Sequence, residues 1–207
     1  MQATPVIWYY DRVSSSLDVA YTLAKNGRLS CWDSVFAAEQ HAGRGQLRRN
    51  WISPRGNIYA SLRLPAESPF TGDFAAPAFG TLLAYAFLAQ DIPVRVKWPN
   101  DLLLPGKAPG EYAKVGGILL EERGGVLIAG VGINVVSSPA EACLREEHRF
   151  SAISLKEALG HTVQAQKFWQ TLVLHIITVY KERENFSFLW ESLLAPLLVD
   201  AGKRASH

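Results

Sequence analysis

From residue 5 to about residue 135, short apolar runs alternate with glycine-rich turns, and beyond that the texture becomes helical. Ser14, Ser15 and Ser16 predict the cap of a first helix at about Leu17–Lys25, with Gly27 placed to end it, because a serine hydroxyl can accept from the free N–H groups of a first turn. Ser34–Glu39 predicts a short strand running into a loop, His41–Asn50. In Ile58–Leu64, Ile, Ala, Leu and Leu alternate with Tyr, Ser and Arg, which predicts a strand with one buried face. Phe74–Gln90 reads as a buried helix. Val94–Trp98 alternates again, with Val94, Val96 and Trp98 opposite Arg95 and Lys97. Pro139–Glu147, Ser154–Gly160 and Gln164–Asn185 read as helices, and His175 within the last has no partner spacing that would make it more than an ordinary structural or surface histidine.

The most distinctive pattern is Lys114–Val136, two β-rich runs around Glu122-Arg123-Gly124, which predicts a hairpin with a three-residue loop. If Glu121 pairs with Gly125, Gly116 faces Gly130 and Lys114 faces Gly132, so that Lys114, three glycines and Asn134 share one face. Glycine weakens a strand interior and marks a bulge or the close approach of a ligand. The cluster therefore predicts a flat wall against which something lies.

Composition narrows the class. The chain has 207 residues, enough for one large domain or two small ones, and its 48% hydrophobic and 19% charged residues exclude an intrinsically disordered chain. A net charge of +2 means that any anion site is local rather than global. Cys31 and Cys143 lie far apart without Cys/His ligand spacing, which suggests neither a zinc site nor a disulfide framework. The opening residues lack a basic segment followed by an apolar run. The least polar stretch, Phe74 to Ala89, has 16 residues, short of the ~20 that span a bilayer. A soluble cytoplasmic protein is expected.

Four pieces could carry chemistry. Glu39–Trp51 has glycines that let backbone N–H groups crowd around an anion, forked donors in Arg44, Arg48 and Arg49, and a flat π surface in Trp51. It matches neither a Walker loop nor a dinucleotide fingerprint, and a solvated basic turn is the alternative. In Lys97-Trp-Pro-Asn-Asp101, Pro99 ends the strand in a rigid turn that presents Lys97, Asn100 and Asp101 together. Such a group suits phosphate neutralisation with magnesium or an amine; an Asn-Asp turn bonded to itself is the alternative. Lys114 and the run Ile128–Asn134 complete the set, against a solvated lysine and a close-packed strand. No Ser/His/Asp or Cys/His arrangement is visible.

Together these pieces, a GRG loop ending in Trp-x-Ser-Pro-x-Gly, then KWPND, then K-x-GGIL-x-E, then G-x-GIN, resemble the catalytic domain of the biotin protein ligases, from about Asp11 to Asn134 and more loosely to Lys167–Asn185. The resemblance implies an α+β fold with a mixed, mostly antiparallel sheet, like that of class II aminoacyl-tRNA synthetases and lipoate ligases. It implies ATP-dependent ligase activity in two steps: biotin and magnesium-bound ATP give biotinyl-5′-adenylate and pyrophosphate, and a lysine of a biotin carboxyl carrier protein then takes the biotin. By the same resemblance, Ser15, Ser16, Gln40 and Arg44 line the biotin pocket, and Gly43 and Gly45 bring backbone donors near the carboxylate. Lys114 reaches the carboxyl oxygen and the α-phosphate, and Gly117, Ile118 and Gly130 wall the pocket, although the register above puts Gly116 rather than Gly117 on that face. Trp51 and Asn134 hold the adenine, with Gln46, Arg48 and Arg49 on the adenylate side. Lys97, Asn100 and Asp101 surround the phosphates, with Asp101 assisting magnesium or the incoming amine. Lys114, Arg44, Lys97 and Asp101 form the implied catalytic set.

Three departures stand out. The family's Ser-Thr-Asn reads Ser15-Ser16-Leu17, which removes a polar group near the ureido ring. Its GRGRxGR reads GRGQLRR, with Gln46 in place of an arginine and Arg48 in place of glycine, implying a leakier hold on the adenylate. The expected organisation is a catalytic domain over residues 1–195 and a tail over 196–207 where a C-terminal β-barrel would begin, with no N-terminal DNA-binding domain. A homodimer is left open; nucleic acid and membrane partners and a tightly bound metal are not expected. Competing readings are a relative that activates lipoate or another acyl acid, an accessory protein that holds biotin or its adenylate, and a nucleic-acid patch at GRGQLRR.

Overall fold

The computed structural model describes residues 4–106, 108, 110–139 and 150–182, with the Arg48 side chain left out. The predicted helix Pro139–Glu147, the end of Gln164–Asn185, Cys143 and the tail 196–207 therefore lie partly or wholly outside the described residues. Seven strands form one sheet in the order β1-β2-β3-β7-β6-β5-β4. They are β1 (Ile7–Val13), β2 (Ser34–Gln40), β3 (Ile58–Leu64), β4 (Arg95–Lys97), β5 (Asp101–Pro105), β6 (Tyr112–Arg123) and β7 (Val126–Ile133). β1 and β2 run parallel, joined through helix α1 (Ser16–Lys25), and every other neighbouring pair is antiparallel. Among the described residues three more α-helices follow: α2 (Ala75–Leu88), α3 (Leu155–Leu159) and α4 (Ala165–Glu182). This is the expected α+β class with a mixed, mostly antiparallel sheet.

The helices divide between the faces. α2 and α4 cover one face and build the main core, in which Phe79, Leu82, Leu83, Trp169 and Leu172 meet Leu62, Ile118, Val131 and Ile133. α1 packs on the opposite face, where Leu17, Ala20 and Leu23 meet Val35 and Ile128. Helices on both sides explain why β3 buries nearly every residue, Tyr59 and Ser61 included, rather than the single face that its alternation predicts. Among the described residues no helix is long and apolar enough to cross a membrane.

The glycine-rich hairpin forms, with a different turn. Gly124 and Gly125 both have positive φ (57° and 76°), the requirement of a two-residue type I′ turn, so Arg123 pairs with Val126 instead of Glu121 with Gly125. Gly117 then faces Gly132 and Leu119 faces Gly130. Lys114 lies beyond the last β6–β7 pair, Gly116 with Ile133. Its place on the glycine face comes instead from a bulge. Against β5, Gly116 pairs with Leu102 but Lys114 pairs with Leu103, which leaves Val115 as an extra residue. A bulge flips the alternation, and a β-carbon at Gly117 would stand 3.7 Å from Lys114 Cε.

One buried side chain shapes the chain as it leaves β7. The Asn57 side-chain oxygen accepts from the backbone N–H groups of Val135, Val136 and Ser137 at 2.9, 2.9 and 3.3 Å, and its amide donates to the Ser137 carbonyl at 2.9 Å. Removing it orphans donors where water has little access. Asn57→Ala is expected to destabilise the fold by about 2–3 kcal/mol, since one unsatisfied buried group costs about 1–3 kcal/mol. Urea unfolding with an unchanged m-value checks this; a loss under 0.5 kcal/mol, the surface-substitution range, would contradict it.

Candidate functional site

A cavity of about 770 Å³ opens on the α1 face of the sheet, between the N-terminus of α1, the 41–50 loop and the ends of β4–β7. Its floor is the glycine face. The Trp51 indole lies on it: a β-carbon at Gly132 would meet the ring at 2.6 Å and one at Gly117 at 3.4 Å. A β-carbon at Gly130 would instead meet Leu17 at 3.0 Å. Gly132 thus makes room for an aromatic ring that also touches Gly117, while Gly130 makes room for the leucine in which the sequence departs from Ser-Thr-Asn.

Near α1 the polar groups are mutually satisfied. The Ser16 N–H donates to Gln40 Oε1 at 2.8 Å, and Gln40 Nε2 donates to Ser53 Oγ at 3.0 Å. Ser61 Oγ donates to Ser16 Oγ at 2.9 Å on the sheet beneath. Ser15 is the buried N-cap residue, although its side chain makes no capping bond. The sequence pattern shows the two serines and Gln40 but not Ser61, which sits in a strand read as half-exposed.

The charged end is a triad. Lys97 pairs directly across from Asp101 in the β4–β5 ladder, and Trp98-Pro99-Asn100 forms the turn between them. Asp101 Oδ1 lies 2.5 Å from Lys114 Nζ and its Oδ2 lies 3.6 Å from Lys97 Nζ. Lys114 also stands 5.6 Å over the Trp51 ring, and Lys97 stands 5.0 Å over Phe150. With an ammonium near each oxygen, the Asp101 carboxylate bridges the two lysines. Among the described residues no three His, Cys, Asp or Glu side chains gather as a metal site. Asn100 fastens its turn to β6, donating from Nδ2 to the Ile118 carbonyl at 3.0 Å. Asn134 is buried and donates from Nδ2 to the Ile153 carbonyl at 3.2 Å.

The loop closes on itself: the Gly45 N–H donates to the Arg49 carbonyl at 2.7 Å and the Trp51 N–H to the Gly43 carbonyl at 2.9 Å. Gly43 is sealed into this turn, where a β-carbon would come within 2.5 Å of the Trp51 carbonyl oxygen, and it does not line the cavity. Gly45, Gln46 and Arg49 do line it. Arg44 lines it too, but its guanidinium is bound to Asp18 at 2.7 and 2.8 Å. Those bonds hold the Asp18 carboxyl below the usual carboxylate range, against the partial burial that would raise it, and Arg123 adds to the same direction.

Of the residues singled out in the sequence, Ser15, Ser16, Gln40, Arg44, Gly45, Gln46, Arg49, Trp51, Lys97, Asn100, Asp101, Lys114, Gly117, Ile118, Gly130 and Asn134 all border this one cavity, although the Ile118 side chain turns away from it into the core beneath α2. Phe150 and Pro139 also border it, and nothing in the sequence marks either as a site residue.

The sequence model of the biotin/lipoate A/B protein ligase family matches residues 28–137. Over 217 residues the chain is 30% identical to the biotin–[acetyl-CoA-carboxylase] ligase of Paracoccus denitrificans, an alignment covering 95% of this chain and 85% of that one. This chain belongs to the biotin/lipoate A/B protein ligase family. It is also 32% identical over 200 residues to the bifunctional ligase/repressor BirA of Bacillus subtilis, covering 89% of this chain but only 58% of that protein. The biotin protein ligase of Aquifex aeolicus in complex with biotin and ATP superimposes with a TM-score of 0.67 at 26% identity, over 87% of this chain and 72% of that one. Family membership thus agrees with the α+β sheet described above.

The contact between Gly132 and the indole makes a direct expectation. Gly132→Ala is expected to lose about 1–2 kcal/mol of stability, as overpacking does, and to lose almost nothing in a Trp51→Ala background. Equal losses in both backgrounds, read as additivity in a double-mutant cycle, would show that the ring does not rest there.

Proposed function

We propose that this chain is an ATP-dependent biotin protein ligase. It joins biotin to ATP as biotinyl-5′-AMP and then passes the biotin to a specific lysine of a carboxylase biotin carrier domain. The observation that carries this reading is the single cavity that sets the Lys97–Asp101–Lys114 triad beside an aromatic ring on a glycine floor. A carboxylate and a polyphosphate both need cations, and a nucleobase needs a flat apolar surface. The Paracoccus relative is named for this reaction, and the Aquifex neighbour holds both substrates.

In the first step a biotin carboxylate oxygen bonds to the α-phosphorus while the bond to the pyrophosphate oxygen breaks. Negative charge builds on the non-bridging α-oxygens. Lys114, held on the glycine face by the Val115 bulge and oriented by Asp101, supplies a fixed donor to that charge, and Lys97 meets the departing pyrophosphate. Magnesium enters as the ATP complex. In the second step the acceptor amine attacks the mixed anhydride carbonyl and AMP leaves, so positioning and charge stabilisation carry the chemistry. Ser15, Ser16, Gln40 and the Leu17–Gly130 contact form the end for the biotin rings, and Trp51 and Asn134 take the adenine. Dependence on ATP fits a cytoplasmic setting.

ATP–pyrophosphate exchange tests the adenylation step, with biotin, lipoate and octanoate as parallel acids. Exchange with biotin is expected. Exchange with lipoate or octanoate alone would reassign the acid, and silence with all three would overturn the adenylation reading. Lys114→Ala is expected to cost on the order of 3 kcal/mol in exchange kcat/KM, comparable to removing one charge-stabilising donor; a near-wild-type rate would remove Lys114 from the reaction. Trp51→Ala is expected to weaken nucleotide binding by ~1–3 kcal/mol, with biotin affinity in the absence of nucleotide unchanged by calorimetry. Unaltered nucleotide affinity would rule out stacking.

A further inference from the structure

Arg44 is surrounded by acceptors that belong to the protein. Nη1 and Nη2 bond the two oxygens of Asp18 at 2.7 and 2.8 Å, and Nε lies 4.0 Å from Glu121 Oε1. Asp18 itself does not border the cavity. It sits in the first turn of α1, two residues after Ser16, and Arg123 approaches it at 3.6 Å from the far end of the β6–β7 hairpin. Arg123 in turn bonds Glu121 at 2.5 Å and covers the Tyr21 ring at 4.4 Å. A bidentate pair fixes both the distance and the plane of a guanidinium, so it can hold a loop as well as a charge. Backbone bonds from His41 to Val13 and from Ala42 to Ser14 fasten the start of the loop, whereas the bonds at Gly43, Gly45, Arg49 and Trp51 close its remainder onto itself, so the Arg44–Asp18 pair is the side-chain anchor of that remainder.

We propose that Asp18 is a positioning residue for the adenylation reaction, tethering the 41–50 loop over the cavity through Arg44, and that the Arg44 side chain acts through this pair rather than by gripping the substrate anion. The inference rests on the ligase reading for its catalytic consequence. The tether itself is a property of the ligand-free fold. It couples the helix that carries Ser15 and Ser16 to the loop that carries Gly45, so the two walls of the cavity keep a fixed spacing. Among the described side chains that border the cavity, Lys114, Lys97 and Arg49 are then the cations that face an anion.

A double-mutant cycle decides between tether and direct contact. Asp18→Asn and Arg44→Gln are each expected to raise the exchange KM for the acid by about tenfold, with kcat nearly unchanged, as loss of a positioning interaction does. The double variant is expected to match either single, and Asp18→Glu to recover most of the loss. A much larger loss in Arg44→Gln than in Asp18→Asn, or additive losses, would show that Arg44 touches the substrate and would overturn the proposal. A second measurement needs no substrate: trypsin cleavage after Arg49 in the ligand-free protein is expected to quicken about equally in both single variants and no further in the double, because local opening sets the rate. Unchanged cleavage in Asp18→Asn would overturn the tether even if exchange were impaired. Absence of exchange in the wild-type chain would overturn the ligase reading while leaving this second measurement to judge the tether.

Discussion

A single carboxylate between two ammonium groups sets the character of this molecule's cavity. Lys97 and Lys114 approach Asp101 from opposite sides. Without it their like charges would repel across a cavity of low dielectric. With it the cluster carries a net single positive charge and a defined shape. An arriving anion therefore meets donors already oriented, and the reorganisation that water would demand is largely avoided. The backbone makes the arrangement possible twice over. The β4–β5 register puts Lys97 and Asp101 directly across from each other, and the extra residue at Val115 turns Lys114 to the same side as Gly117.

That charged end works only because the rest of the face is bare. A side chain on Gly132 would occupy the space that the Trp51 indole fills, and the same ring rests in contact with Gly117. The ring brings a broad apolar surface next to Lys114, and the lysine in turn stands over the ring, a cation–π contact that costs neither partner its access to the cavity. The opposite face of the sheet has no such freedom. There α2 and α4 pack against Ile118, Val131 and Ile133, alternate residues of the same two strands, so the strands that floor the cavity are held rigid from beneath.

How far the sequence reveals this varies with the range of the interaction. Local signals read well: Ile58–Leu64 is the strand expected, α1 begins within one residue of its expected start, and the hairpin lies where its β-rich runs put it. The hairpin register does not read well. Glu122-Arg123-Gly124 and Gly124-Gly125 are both acceptable turns, and only the pair of positive φ angles selects the second. The motifs still meet at one cavity because the bulge offset the register error, bringing Lys114 to the glycine face by another route. β5 passed unnoticed because its Leu102-Leu103-Leu104 run is buried on both sides and has no alternation to detect. Asp18 passed unnoticed for the opposite reason. An aspartate in the first turn of a helix is ordinary on dipole grounds, and only folding brings Arg44, 26 residues away, into contact with it.

Leu17 shows how a departure from the family pattern is absorbed. Its side chain is buried and lies against Gly130, so the site that loses a polar group gains an apolar wall next to Ser15 and Ser16. Ser16 and Gln40 keep their hydrogen bonds to Ser61 and Ser53, and the substitution orphans neither of them. The cost therefore falls on the ligand rather than on the fold. A ring that brings a polar edge to Leu17 must give up hydration there without a replacement partner, whereas an aliphatic or dithiolane end gives up little. On the proposed ligase reading, selection between acids at this end rests on Ser15, Ser16 and Gln40 without the third polar residue of the family's Ser-Thr-Asn, and discrimination against less polar acids is the property most exposed to the change.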